Sequence, residues 1–272
     1  MHRFAGTFVA ALVLVVALVP SQAFADTATG KGVIRIGLLD PTGGAPAVEG
    51  AEVDAGFRFF LATHGDRLGG FSVDLKTGDE GATPDAALAS AHVLVEQDAV
   101  DAIVGVLNSN DAYALAPYID AQKKLLVITG AGADSLTQSE ARKTIFRVAD
   151  TSSQDVMPLS EYVCHRMRLK TATIVATDYP YGIEAAGGFA RAYTDSRCRI
   201  LQELYAPVGT TDWGSVLAKI DKRSQVVFAA VGGIDSVSLV AAYRAGEMKI
   251  PLAGDGVLTD ETWLPDERER AL

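Results

Sequence analysis

The chain has 272 residues, 49% of them hydrophobic and 21% charged, a globular composition rather than a disordered or fibrous one. With 24 Lys+Arg against 34 Asp+Glu the net charge is −10, which argues against a nucleic-acid binder and against docking on an anionic membrane. Two cysteines are too few for a disulfide-built scaffold.

Residues 1–25 read as a secretory signal peptide. His2 and Arg3 give a weakly basic start, residues 8–19 are apolar and uncharged, Pro20 and Ser21 break the run, and Ala23-Phe24-Ala25 is a small-x-small cleavage pattern. The run is too short to span a bilayer. Cleavage after Ala25, with no cysteine there to carry a lipid, predicts a freely diffusing periplasmic protein.

From residue 33 the pattern alternates strand and helix. Residues 33–39 are an apolar strand ending in the turn Asp40-Pro41-Thr42-Gly43-Gly44. A helix follows, with Val53, Phe57, Phe60 and Leu61 on one face at i, i+4, i+7, i+8. Residues 71–76 are a strand. Thr83-Pro84-Asp85 is a helix start, with a capping hydroxyl, proline in the first turn and an acid beside it; its core face is Leu88, Ala91, Leu94 and Val95. Strands at 102–106 and 125–129 flank a helix at 111–122. A second unit begins after Ile145-Phe146-Arg147-Val148, with helices at 155–167, 183–194, 212–219 and 235–245 and strands at 172–177, 200–205, 226–231 and 251–253. Near-continuous apolar strands alternating with helices predict parallel sheets covered on both faces. The expected fold is therefore α/β, with two Rossmann-like lobes, 26–148 and 149–272, facing each other across a cleft at the carboxyl ends of their strands.

Catalytic patterns are weak. Gly130-Ala131-Gly132-Ala133-Asp134-Ser135 begins like a dinucleotide loop but lacks the third glycine. The four histidines (His2, His64, His92 and His165) show no metal-ligand spacing. Cys164 and His165 are adjacent, and on a helix adjacent side chains point about 100° apart. No catalytic residue, metal or cofactor is expected. A cleft without reactive groups suits a binding protein.

Six segments, in order, carry a family resemblance: Ile34-Arg35-Ile36-Gly37-Leu38-Leu39 with its Pro-Thr-Gly-Gly loop, the stretch from Ala102 to Ser109, the stretch from Ile128 to Thr137, Phe146-Arg147-Val148, Asp178-Tyr179-Pro180-Tyr181-Gly182, and Gly209-Thr210-Thr211-Asp212-Trp213. Together they resemble the type I periplasmic solute-binding proteins of the branched-chain amino-acid (Leu/Ile/Val-binding) family, the receptors of ABC importers. The resemblance implies two lobes that close on a small carboxylate-bearing solute and deliver it to permease subunits in the inner membrane. Members of that family continue well beyond the point where this sequence stops, so the second lobe is expected to be incomplete.

The candidate ligand residues are Ser109 and Asn110, at a helix N-terminus where free amides and the dipole favour an anion, and the small loop Ala131, Gly132 and Ala133, which admits a ligand to the backbone. Tyr181 would wall the pocket from the second lobe, and Asp255 falls near the family's acidic ligand for an ammonium group. Each has a plainer reading: a helix cap, an ordinary loop, a core aromatic and a turn. Cys164 and Cys198 lie at the pole of the second lobe away from the cleft, and in an oxidising periplasm they are expected to pair, two buried thiols being the rival. A ligand-sensing module of the same fold, and a truncated relative without function, are the alternative readings.

Overall fold

A computed structural model describes residues 31–43 and 46–259. The expected signal peptide and the final segment lie outside the described residues. The chain runs β1 (Val33–Asp40), α1 (Ala47–Thr63), β2 (Arg67–Leu68), β3 (Phe71–Asp79), α2 (Pro84–His92), β4 (Ala102–Gly105), α3 (Ser109–Ala121), β5 (Leu125–Ile128) and β6 (Ile145–Arg147). It continues through α4 (Ser152–Glu161), β7 (Thr171–Thr177), α5 (Pro180–Asp195), β8 (Arg199–Ala206), α6 (Trp213–Leu217), β9 (Val226–Ala230), α7 (Ile234–Ala245), β10 (Leu252–Gly254) and α8 (Gly256–Thr259).

These strands form two sheets, ordered β2-β3-β1-β4-β5-β6 and β10-β9-β7-β8. Every pairing is parallel except β2 with β3. All five residues of β9, Val-Val-Phe-Ala-Ala, are buried, as a strand covered on both faces requires. One face of the second sheet packs Phe189 on Phe228, rings stacked at 4.0 Å, and the other packs Trp213, Leu239 and Val240. The first sheet buries Leu39, Leu94, Ile103, Leu115 and Leu126 in one core. Cys164, in the π-helical turn that extends α4, and Cys198, just before β8, are joined in a disulfide.

Three local readings change. Residues 145–147 are not merely a crossover marker: they add β6, a further parallel strand beside β5. The two-residue β2 is too short to show periodicity. On α1, of the apolar stripe Val53, Phe57, Phe60 and Leu61, only Leu61 is buried; Phe60 is 43% exposed and its neighbour Phe59 72%. The first-lobe core forms against α2 and α3, so the described residues leave much of this stripe uncovered.

Helix starts follow their local chemistry. Thr83 accepts from the Ala86 N–H, Thr151 forms a capping box with Gln154, and Asp212 accepts from Ser215 N–H at 3.1 Å.

Candidate functional site: a cavity between the lobes

Parallel strands bring β1, β3, β4 and β5 to a common carboxyl edge. At that edge β4 ends in Gly105, φ +129°, where a side chain would strike the Leu39 carbonyl. Val106 follows at φ +72°, a conformation that costs a β-branched residue on the order of 1–3 kcal/mol. The main chain pins it: its N–H donates to Leu39 O at 2.8 Å, and its carbonyl accepts from Ala131 N–H at 2.9 Å. The turn aims the next two N–H groups, of Leu107 and Asn108, at the Glu80 carboxylate, each at 2.9 Å. Glu80 is 1% exposed. Burial, aided by the neighbouring Asp111, pushes its carboxyl up to about 8 despite these hydrogen bonds.

Across from this edge stand Tyr179 and Tyr181, at the start of α5, with ring centroids 5.7 Å apart. The loop before α6 and the start of α7 lie on the same side, where Asp235 accepts the Gly209 N–H at 2.8 Å. Burial raises Asp235 above the ordinary carboxylate range against that hydrogen bond. Between the two sides is a cavity of about 650 Å³. The connection from β6 to α4 and the first turn of α4 also line it, contributing Asp150, Ser152 and Asp155. Burial, with Asp150 and Asp255 nearby, lifts Asp155 to about 6.

The structure places four of the seven sequence candidates in this wall: Ser109, Asn110, Gly132 and Tyr181. The helix cap is neither Ser109 nor Asn110 but Asn108, whose side chain accepts from Asn110 N–H at 2.8 Å. The Ser109 hydroxyl accepts from Ala133 N–H at 3.2 Å, tying α3 to the 131–133 loop. Ala131 and Ala133 do not line the cavity. Their side chains are fully buried in the first-lobe core, and Arg147 Nη1 donates to both their carbonyls, at 3.1 and 2.7 Å. Asp255 also sits behind the wall, accepting the Tyr181 hydroxyl at 2.7 Å. Glu80, Asn108, Ser152, Tyr179 and Asp235 line the cavity without having been singled out in the sequence. The available signal was positional: each stands at the carboxyl end of a strand or in the opening of a helix.

The lobes also meet beside the cavity. Glu184 on α5 accepts from the Asp134 N–H and from the Ser135 hydroxyl, and Ser152 N–H donates to Gly132 O at 2.8 Å. Among the described residues no group of three or more His, Cys, Asp or Glu side chains is arranged to hold a metal ion, and no helix is long and apolar enough to cross a membrane.

Two parallel α/β lobes whose strand ends face each other over one cavity define a solute-binding architecture. Residues 33–266 match the family described as periplasmic binding protein, and the chain belongs to it. That family is periplasmic and binds solutes. Among curated proteins, Leu/Ile/Val-binding protein homolog 6 of Brucella melitensis and of Brucella abortus are each 28% identical over 264 residues, covering 95% of this chain and 65% of the relative. The chain thus spans about two thirds of the length of the curated relatives it matches. Among solved structures, an R. palustris ABC-transporter solute-binding protein in complex with 4-hydroxybenzoate is 26% identical with a TM-score of 0.78, covering 83% of this chain and 62% of that one. A substrate-binding protein from Sphaerobacter thermophilus is 28% identical with a TM-score of 0.77, covering 88% and 66%.

Proposed function

We propose that this chain is the solute-binding component of an ABC importer, exported by the segment 1–25, cleaved after Ala25 and acting in the periplasm without catalysis. Lobes 26–148 and 149–272 would close on a small organic solute and present it to permease subunits. The observation that carries the reading is the cavity itself, walled on one side by Asn108, Ser109 and Gly130 and on the other by Tyr179, Tyr181 and Gly209. Ligand contacts to both walls stabilise the closed form over the open one, which is the hinge logic of such proteins. The Cys164–Cys198 disulfide supports residence in an oxidising compartment.

The 4-hydroxybenzoate and benzoate held by the R. palustris proteins support a small organic solute for this chain as well. A branched-chain or related amino acid, or an aromatic or aliphatic acid, is the class that the family resemblance implies; the charge of the cavity argues for another. The test is thermal unfolding of the purified chain against isoleucine, benzoate, 4-hydroxybenzoate, benzylamine and 2-methylbutylamine. A bound solute at 100 times its Kd adds about 2.7 kcal/mol, so the reading expects at least one clear upward shift. A melting temperature unmoved by every member of the panel contradicts it.

A further inference from the structure

Six carboxyl side chains line the cavity: Glu49, Glu80, Asp111, Asp150, Asp155 and Asp235. No lysine, arginine or histidine is among the described residues of its wall. The guanidinium of Arg147 lies beneath the 131–137 loop, spent on the carbonyls of Ala131 and Ala133 and the hydroxyl of Thr137.

A solute anion in such a cleft needs backbone N–H groups in place of cations. On each wall, N–H groups that could serve are held by the chain's own acids: Leu107 and Asn108 by Glu80 in the first lobe, and Gly209 by Asp235 in the second. A carboxylate entering here would find those N–H groups already taken and would face a wall of acids. An ammonium would meet acceptors, with Tyr179 and Tyr181 beside them in the wall.

A second observation points to a ligand group at this wall. Ser152 is 2% exposed, lines the cavity, and its hydroxyl oxygen has no hydrogen-bond partner among the described residues. A buried hydroxyl left so is costly until a ligand group meets it. Asp150 and Asp155, two and three residues away in sequence, line the same cavity.

We propose that the solute is an organic monocation, an ammonium or amidinium group on an apolar body, without a carboxylate. This rests on the solute-binding reading above. Recognition would come from Asp150, Asp155 and Asp235 as counter-charges, Ser152 as acceptor and the two tyrosines as the apolar wall.

The test is calorimetric titration of the full chain, its folding checked by cooperative melting, with matched pairs: benzylamine against benzoate, and 2-methylbutylamine against isoleucine. The amine of each pair should bind at least about tenfold more tightly than its partner, and Asp155→Asn should weaken amine binding by about tenfold. Ser152→Ala, which removes an atom with no partner among the described residues, should weaken the amine while leaving the melting temperature of the unliganded chain unchanged or higher. Binding of benzoate or isoleucine without the amines overturns the charge assignment and leaves the solute-binding reading standing. Failure of all four to bind overturns both.

Discussion

Ser135 in the first lobe donates its hydroxyl hydrogen to Glu184 Oε1 in the second, at 3.0 Å. The same carboxylate takes the Asp134 N–H, and Tyr113 meets Ser135 from α3, so one acid on α5 gathers a first-lobe loop against the second lobe. Glu184→Ala removes the acceptor. The site is only partly buried, so water replaces part of it, and the expected loss is on the order of 1 kcal/mol. Differential scanning calorimetry should show a melting temperature lower by about 2–4 °C; an unchanged value would mean the clasp contributes nothing.

Acidity should set a stability profile. Burial and the charge of Asp54 raise Asp40 to about 7, burial and Asp111 raise Glu80 to about 8, and burial with Asp150 and Asp255 raises Asp155 to about 6. A carboxyl whose folded value exceeds its unfolded value binds its proton more tightly in the fold. Between the ordinary carboxylate range and about pH 8 the native state therefore holds more protons than the unfolded one, and stability falls as pH rises. Denaturant midpoints should decline from pH 5 to pH 8. Asp40 is 5% exposed with both carboxyl oxygens unpartnered among the described residues, so Asp40→Asn should flatten the decline, and Glu80→Gln likewise. A midpoint that rises across this range would reverse the assignment.

The disulfide Cys164–Cys198 closes a loop with a sequence separation of 34. In the chain-entropy model a loop of this size stabilises by roughly 3–4 kcal/mol. Unfolding in the presence and absence of a reductant should show a loss of that order; equal midpoints would assign the bond no stabilising role.

Tyr181 in the cavity wall and Asp255 behind it form a buried pair. Tyr181→Phe keeps the ring and deletes the donor, leaving a buried carboxylate with one hydrogen bond fewer. The cost should be about 1–3 kcal/mol, seen as a lower urea midpoint with an unchanged slope. Ser109→Ala should lose about 1 kcal/mol for the same kind of reason, since Ala133 N–H is left without its acceptor.

The alternation of elements was readable because fully buried strands such as Val226–Ala230 show as unbroken apolar runs, and because Thr83 and Asp212 cap helices through short-range contacts. The place of Tyr181 in the first turn of α5, set by neighbours close in sequence, was readable too. The acid lining was not. Glu80 meets Asn108 across 28 residues and Asp235 meets Gly209 across 26, and no local pattern announces either contact. Ala131 and Ala133 looked like ligand positions because they are small; their size instead serves core packing, and Arg147 from β6 occupies their carbonyls. The face of α1 was overread because periodicity shows which side is apolar, not what covers it.

The most direct test of the account is amide hydrogen exchange of the full chain with and without benzylamine, or without and with whichever panel solute shifts its melting most. Closure of two lobes over one cavity predicts slowed exchange on both walls together, at residues 107–111 and 130–132 in the first lobe and at 179, 181 and 209 in the second. Protection confined to one wall, or appearing only away from the cavity, would contradict it.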